Sequence, residues 1–532
     1  MKGKCIVKLI GNGDEQVILF LKDYIQHSNV KEARELTDTA FTRNKDFIDS
    51  HDYNGYKVTW SWYDLIYKTF SDFIEIMPLI RVIETYEFDS ITLTDFPRKY
   101  SKILDMFFFE SNIQFKSNLS LLSLKEFIFN LVLLIFSLCS IFFVSFKRGR
   151  RVAIRTEDYI FKNTKSDFRL NHLYDKYEQN SVLYIEFIRS TKIKNFFVNA
   201  YKRRRFAIYY TAIIFFVDLL TKKTQYSKQP KDFYQSVLHS YHRSNIVLKR
   251  SVLVIEKILK ILRIDKFVLI SFSSRSAHLA LAAKTLGIPT IGIMHGLQQK
   301  EYAVYEFMES YSEDKKIGCD LYGVWSPEYL HYFRRFSKIM HPESIQYSGL
   351  LRPKITKLAF QPFKRISSKK VRILLISEPL VSATEIAPFI EKLQLYNDIE
   401  IAIKVRPMIK DSYYEELLQL LPSIKRLKVY DGKIEVDGAE FDIFLGSNST
   451  AVIEASLLDK ISILVMTKKW GDYFDLNNLI EGCSLVVEHP DMLYDHILER
   501  IENESELKSI SKIRRKFFGD NKDGAQWLVD QL

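Results

Sequence analysis

A glycine and four small polar residues stand between a strand-like run and an apolar helical run in the C-terminal third of the chain. They are Gly446, Ser447, Asn448, Ser449 and Thr450, preceded by FDIFL and followed by AVIEASLL. Glycine lets a ligand approach the backbone closely, and the free N–H groups at a helix start favour an anion. Ser and Thr are also ordinary helix caps. The segment therefore predicts a phosphate site, with a capped helix that binds nothing as the alternative.

Further polar residues follow neighbouring strand-like runs. Glu454 lies one turn along the same predicted helix, where a carboxylate could accept hydrogen bonds from two ribose hydroxyls; the alternative is a solvent-exposed glutamate. Lys404 and Arg406 end the run IEIAIKV with two cations suited to phosphate oxygens. Ser377 ends the run VRILLIS, and Glu378 follows it. Because ligands bind outside the carboxyl ends of strands in open α/β sheets, these side chains are predicted to surround one nucleotide.

A histidine ends a strand-like run in the N-terminal half. His295 follows TIGIM and precedes Gly-Leu-Gln. An imidazole at this position titrates near neutrality and could remove a proton from an attacking hydroxyl; the alternative is a structural histidine. Further candidates for the same cleft are Gly296, Gln298, Asp320, Glu328 and Arg352.

The elements that position these residues alternate between strand and helix. In residues 265–296, FVLIS and TIGIM predict parallel strands around the helix RSAHLALAAKTL, with serines as N-caps and Gly287 as the C-cap. A second array from about residue 345 contains the strands IQYSG, VRILLIS, IEIAIKV, EFDIFLG and ISILVMT, with helices over 384–396, 411–421 and 450–458. This alternation predicts an α/β fold with two Rossmann-like domains whose parallel sheets face a cleft.

The length of 532 residues also favours two large domains. We expect an N-terminal domain over 1–345, a C-terminal domain over 346–505 and a helical tail over 506–532. Residues 1–125, with strands CIVKLIG and SITLTD, a helix over 14–26 and a helix beginning PRKYSKIL, are predicted to supply half of the first parallel sheet. Its remaining strands are VAIRTED and SVLYIEFI.

The net charge and the cysteine content limit which binding partners, metals and cofactors are expected. Lys and Arg number 77 against 65 Asp and Glu, a net charge of +12, which favours nucleotide phosphates, acidic lipid headgroups or nucleic acid. Nucleic acid is disfavoured because the basic residues flank apolar runs rather than forming a recognition motif. Metal and cofactor are not expected, since no Asp-x-Asp follows a strand and the four cysteines are far apart: Cys5, Cys139, Cys319 and Cys483.

One apolar segment predicts contact with a membrane. Residues 127–146 carry no formal charge and precede the basic cluster KRGRR, and a helix of this length could span a bilayer. A crossing would separate the two predicted halves of the first sheet, so we favour a helix or hairpin in the cytoplasmic leaflet, with a buried core helix as the alternative. A second candidate is 201–223, with a core helix that has a solvated basic end as the alternative. The N-terminus predicts a strand rather than a signal peptide, so we expect a cytoplasmic protein, peripheral or monotopic on the inner face of the cell membrane.

The series GIPTIGIMHGLQQ, DLYGVWSPEY, IQYSGLLRP, IAIKVRP and FLGSNSTAVIEASLLDKISILVMT resembles bacterial GT-B-type glycosyltransferases of capsule, O-antigen and teichoic acid synthesis. Similar groups are the CDP-glycerol glycerophosphotransferases and the Kdo- and sialyltransferase-like enzymes. The resemblance covers about residues 265–480. It implies that His295 is the base, that Ser449 and Thr450 hold the donor phosphate and that Glu454 binds the ribose.

The sequence departs from the pattern of these enzymes at two motifs. Lys404 matches the Lys of Lys-x-His-Pro, but Arg406 stands where His is usual, which puts a His-specific acid role there in doubt. The order Leu350-Leu351-Arg352-Pro353 differs from the usual Gly-x-Pro-Arg.

The function implied is metal-independent transfer of a sugar from a nucleotide-activated donor to a lipid-linked acceptor in surface polysaccharide synthesis. Alternatives are a sugar-nucleotide epimerase of the same fold and a non-catalytic polysaccharide assembly factor at the membrane. The nucleotide, the sugar, the linkage and the oligomeric state stay open.

Overall fold

The computed structural model describes residues 6–10, 16–26, 29–86, 90–94, 97–109, 124–157, 170–177, 182–189, 206–294, 296–298, 300, 305–351, 370–377, 381–404, 412–421, 427–430, 438–447, 449–467, 471–472, 486–503, 505–519 and 522–532.

The N-terminal region forms a small antiparallel sheet of its own. Its strands are β1 (Ile6–Ile10), β2 (Gln16–Phe20) and β5 (Ser90–Thr94), in the order β2-β1-β5; a separate hairpin pairs β3 (Asp52–Tyr53) with β4 (Tyr56–Lys57). The SITLTD strand is confirmed. The predicted helix over 14–26 is wrong, because QVILF pairs with β1 and the sequence signal Asn12-Gly13 favours a hairpin. The prediction that this region completes the first parallel sheet is also wrong.

Helices cover one side of this small sheet and link it to the rest of the molecule. Their bounds are Val30–Arg43, Lys45–Ser50, Tyr63–Glu84 and Arg98–Phe107, with 3-10 turns at Leu21–Asp23 and Val58–Trp62. The helix predicted from PRKYSKIL is confirmed. Phe73, Ile76 and Ile80 of the long helix pack against Val7 and Leu9 of β1, whereas Ile66 and Phe70, nearer its start, belong to the main core.

The first large sheet has seven parallel strands. They are β6 (Arg151–Glu157), β7 (Leu183–Arg189), β8 (Phe206–Ile208), β9 (Lys266–Leu269), β10 (Thr290–Ile293), β11 (Leu321–Val324) and β12 (Ile345–Tyr347), in the order β12-β11-β10-β9-β6-β7-β8. Its helices are Asn171–Tyr177, Tyr210–Leu220, Phe233–His239, His242–Leu262, Ala277–Thr285 and Pro327–Phe336, with a 3-10 turn at Pro342–Ser344. The strand–helix–strand unit over 265–296 is confirmed, as are the strands VAIRTED and SVLYIEFI. Gly287, at φ +67°, follows its helix as predicted.

The second large sheet has six parallel strands. They are β13 (Val371–Ile376), β14 (Ile399–Lys404), β15 (Lys428–Val429), β16 (Ile443–Gly446), β17 (Ile461–Val465) and β18 (Val486–Val487), in the order β15-β14-β13-β16-β17-β18. The helices are Ala383–Leu393, Ser412–Leu420, Thr450–Ile453 and Leu493–Glu502, with 3-10 turns at Gly438–Glu440, Glu454–Leu458 and Pro490–Met492. The four strands predicted from residue 371 onward are confirmed.

Strand β12 and the C-terminal tail do not follow a division of the chain into two consecutive domains. The prediction that IQYSG belongs to the second array is wrong, because Ile345 pairs with Tyr322 of β11 and β12 is the edge of the first sheet. The tail forms the helix Glu506–Phe518, which contacts both domains, and the helix Gly524–Asp530, which packs on the first domain. Phe518 lies 5.9 Å from Trp325 between ring centroids, and Leu528 shares a core cluster with Val152.

The apolar segment forms the helix Leu124–Ser145, which we call the apolar helix. Within the described chain, this helix is long and apolar enough to cross a membrane by length and composition. Asn130, Leu133, Ser137 and Val144 face the protein and are buried along its length. It packs against β8 and against the helices Tyr210–Leu220 and His242–Leu262. In its described part, residues 206–223, the second candidate segment holds β8 followed by the short helix Tyr210–Leu220.

Candidate functional site

Three neighbouring strands of the second sheet bring candidate residues together at their carboxyl ends. The strands β14, β13 and β16 lie side by side and end at Lys404, Ile376 and Gly446. Ser377 follows β13, and its Oγ donates a hydrogen bond to the carbonyl oxygen of Lys404 over 3.1 Å. The Nζ of Lys404 lies 5.0 Å from the ring centroid of Tyr430. Ser377, Lys404 and Gly446 therefore share one edge of the sheet.

Gly446 is required by close packing of the helix start on the strand end. A Cβ at this position would lie 2.7 Å from Cγ2 of Val452 and 3.1 Å from the carbonyl oxygen of Ile376. Contacts this short force one side to move. The absence of a side chain at Gly446 therefore keeps the helix start close to β16.

Gly446→Ala is expected to lower the free energy of unfolding by about 1–3 kcal/mol, the usual cost of overpacking. The matched control is Gly296→Ala, whose Cβ would meet Thr450 Oγ1 at an ordinary 3.6 Å. Urea unfolding of both variants measures the difference. Equal stability of the two variants would contradict the packing role of Gly446.

The helix start uses its hydroxyl groups for two different contacts. The Oγ of Ser449 accepts a hydrogen bond from the backbone N–H of Ala451 over 3.3 Å, so Ser449 caps the helix. The Oγ1 of Thr450 accepts a hydrogen bond from the backbone N–H of Leu297 over 3.2 Å. Ser447 and Glu454 are both buried, with Glu454 only 6% exposed, so Glu454 is not the solvent-facing glutamate considered as the alternative.

The loop after β10 meets this helix start across the two domains. Besides the Leu297–Thr450 hydrogen bond, the indole N–H of Trp325 donates to the carbonyl oxygen of Met294 over 2.6 Å, which anchors the end of β10. The backbone N–H of Gln298 donates to the hydroxyl of Tyr329 over 3.4 Å. The carboxyl edges of the two parallel sheets thus face each other at Gly296, Leu297 and Thr450.

Some predicted site residues lie away from this junction, and others lie outside the described residues. Asp320 is wrong as a cleft residue: its Oδ2 accepts a 2.9 Å hydrogen bond from the N–H of Thr290, at the start of β10 and so at the opposite edge of the sheet. Glu328 is exposed in the first turn of the helix Pro327–Phe336. The candidates outside the described residues are His295, Arg352, Glu378, Arg406 and Asn448.

A serine-rich turn after β9 differs from its predicted role. The serines were expected to cap the helix Ala277–Thr285, but Ser276 makes no capping hydrogen bond. Its Oγ accepts from the N–H of Ser273 over 2.9 Å and donates to the carbonyl oxygen of Ser271 over 2.9 Å. Four serines within residues 271–276 are more than one helix cap needs.

Two Rossmann-like domains, each built on a parallel sheet and joined at their carboxyl edges, constitute the GT-B architecture. In the described part of the chain, no group of three or more His, Cys, Asp and Glu side chains is arranged to hold a metal ion.

Several solved structures have a similar fold. An S. aureus MnaA–UDP co-structure is 11% identical with a TM-score of 0.44, over 72% of this chain and 96% of that chain. Acinetobacter baumannii MurG is 12% identical with a TM-score of 0.45, over 72% and 99%. A UDP-GlcNAc 2-epimerase from Neisseria meningitidis bound to UDP-GlcNAc is 12% identical with a TM-score of 0.43, over 71% and 98%. No protein-family model and no curated protein sequence matches the chain. These similarities concern the fold alone, and the architecture itself follows from the strand orders.

Proposed function

We propose that this chain is a metal-independent glycosyltransferase that moves a sugar from a nucleotide-activated donor to an acceptor hydroxyl. The observation that carries the proposal is the hydrogen bond between Leu297 and Thr450, which joins the carboxyl edges of the two sheets. Ligands of open α/β sheets bind at such edges. A donor on one sheet and an acceptor on the other would therefore meet at this junction.

The second domain would hold the nucleotide. Lys404 supplies a cation for phosphate oxygens, and the backbone after Gly446 supplies N–H groups at a helix start. Glu454 is buried one turn beyond Thr450, where its carboxylate would accept hydrogen bonds from the ribose. The first domain would present the acceptor, with His295 as the base that takes the proton from the attacking hydroxyl.

The acceptor would be lipid-linked, and the protein would act at the inner surface of the cell membrane in the synthesis of a surface polysaccharide. Support comes from the apolar helix, whose outward side carries exposed hydrophobic residues and whose C-terminal end precedes exposed Lys147, Arg148 and Arg150. A soluble sugar nucleotide would not require such a surface. The resemblance of the sequence motifs favours capsule, lipopolysaccharide O-antigen or teichoic acid as the polymer.

A nucleotide screen tests the donor site. One of CMP, CDP, UDP, GDP and TDP is expected to raise the unfolding midpoint of the protein, because a ligand that binds the folded state alone stabilises it. Glu454→Gln is expected to weaken that nucleotide about 10- to 100-fold, the loss of a charged hydrogen-bond acceptor. The matched control is Glu488→Gln, an exposed position of the same domain. Stabilisation by none of the five nucleotides would contradict the proposal and favour a non-catalytic role.

Incubation of the labelled donor alone separates transfer from epimerisation. A transferase needs an acceptor for sugar transfer, whereas an epimerase converts the donor without one. Conversion of the donor sugar in the absence of acceptor would therefore replace the proposed reaction by epimerisation.

A further inference from the structure

The proposal concerns Asp64, a carboxylate beside the serine-rich turn. Asp64 lies in the first turn of the helix Tyr63–Glu84, and its Oδ2 accepts a 2.8 Å hydrogen bond from the Oγ of Ser274. Its Oδ1 is buried and has no hydrogen-bond partner among the described residues, although another part of the residue reaches the surface. A buried carboxylate oxygen without a partner is unfavourable in a folded chain and marks a place where a ligand can bind.

The surroundings of Asp64 are polar and largely closed to water. Tyr305 and Ser271 share a hydrogen bond between their hydroxyl groups over 2.9 Å. Glu306 is 1% exposed, and its Oε2 also has no partner in the described part of the chain. Burial raises the pKa of Glu306 to about 8, and the charge of Asp64 contributes, so the two carboxyl groups are within electrostatic reach of each other.

The position of Asp64 is on the cleft side of the first sheet. Residues 271–276 follow β9, and the loop that contacts Thr450 follows β10, the neighbouring parallel strand. Carboxyl ends of adjacent parallel strands lie at one edge, about 5 Å apart. Asp64 therefore lies beside the junction at which the two domains meet.

The same turn is connected to the apolar helix. The Oγ of Ser137 on that helix accepts a 2.8 Å hydrogen bond from the N–H of Tyr209. The hydroxyl of Tyr210 in turn donates to the carbonyl oxygen of Arg275 over 2.9 Å. Arg275 is exposed next to Ser274 and supplies a cation. Polar residues and a cation thus lie between the apolar surface and the domain junction.

We propose that Asp64 binds the acceptor: its free Oδ1 accepts a hydrogen bond from a hydroxyl of the sugar head of a lipid-linked substrate. A hydroxyl is the ligand that satisfies a buried carboxylate oxygen without adding a second charge. The inference rests on the proposed glycosyl transfer and names its acceptor site. Burial raises the pKa of Asp64, against the opposing hydrogen bond from Ser274, so its ionised form is less favourable in the folded chain than in the unfolded chain.

Calorimetric titration with octyl glucoside, octyl galactoside, octyl mannoside and octyl N-acetylglucosaminide tests the site, below the concentrations at which they form micelles. The wild type is expected to bind at least one of them saturably, and Asp64→Asn to weaken it about tenfold. Ser274→Ala is expected to weaken it as well, because Asp64 loses the contact that orients it. The matched control is Glu84→Gln, an exposed position of the same helix, with wild-type affinity expected.

Thermal unfolding separates binding from a structural role. Asp64→Asn is expected to unfold at the same or a higher temperature, because the substitution removes a disfavoured buried charge. A lower unfolding midpoint together with lost glycoside binding would assign Asp64 to the fold, and wild-type affinity of Asp64→Asn would overturn the proposal. If the wild type bound none of the octyl glycosides, the proposal would also be overturned. Failure of the donor proposal is seen separately, in the nucleotide screen of the unaltered protein.

Discussion

Two aspartates on the outward side of the apolar helix, Leu138→Asp and Phe142→Asp together, are expected to release the protein from vesicles that contain anionic lipid. Leu138 is 56% exposed and Phe142 is 60% exposed. They belong to one stripe at spacings of three and four residues: Leu124, Ile128, Leu131, Ile135, Leu138 and Phe142. Such spacing places all six side chains on one face of the helix. Water is a poor environment for this face, and a bilayer surface would cover it.

The mode of contact follows from the opposite face. Buried residues from Asn130 to Val144 hold the apolar helix against β8 and two other helices along its length. A crossing perpendicular to the membrane would take part of the first sheet into the hydrocarbon, where its loops would leave backbone polar groups unpaired. The helix is therefore proposed to lie in the interface, with exposed Lys125, Lys147 and Arg148 near the headgroups.

The expected loss of vesicle binding follows from the apolar side-chain area that no longer enters the bilayer. Burial of a Leu or Phe side chain contributes about 1.5–3 kcal/mol, so loss of both lowers partitioning about 10²- to 10⁴-fold. Sedimentation with equimolar phosphatidylcholine–phosphatidylglycerol vesicles measures the bound fraction. Leu395→Asp is the matched control, because Leu395 is 71% exposed in the second domain. Equal sedimentation of the double variant and the wild type would rule out the stripe as the membrane contact.

The parallel strands could be predicted from the sequence, and their partners only in part. VRILLIS and ISILVMT are short continuous apolar runs between polar turns, the pattern of strands buried on both faces. QVILFL has the same composition, but its predicted helix was wrong because pairing with β1 outweighs its weak helical pattern. IQY was recognised as a strand and assigned to the wrong sheet, since the sequence does not state that β11 is its neighbour.

The residues of the candidate site could likewise be predicted from the sequence only in part. Ser377, Lys404 and Gly446 could be expected together because each ends a strand of one parallel sheet. The contact between Leu297 and Thr450 could not, because it depends on how two domains pack. Asp64 was missed because its partner Ser274 is 210 residues further along the chain and no local pattern marks an aspartate in a first helical turn.

His295→Ala is expected to lower the turnover number about 10²- to 10⁴-fold, the usual contribution of a general base. The reason is the position of His295 in the sequence. Met294 is anchored by Trp325, Gly296 lies opposite Thr450, and His295 stands between them in the sequence. The measurement is release of the nucleotide from the sugar donor identified by the nucleotide screen, in the presence of acceptor.

The histidine and Asp64 are distinguished by what each variant leaves intact. His295→Ala should retain nucleotide and glycoside binding and lose the chemical step, whereas Asp64→Asn should mainly raise the KM for the acceptor. His341→Ala, at an exposed histidine of the first domain, serves as the matched control. Turnover by His295→Ala at the wild-type rate would remove this histidine from the mechanism. The carboxylate of Asp64, whose Oδ1 is buried without a partner among the described residues, would then be the next candidate for the base.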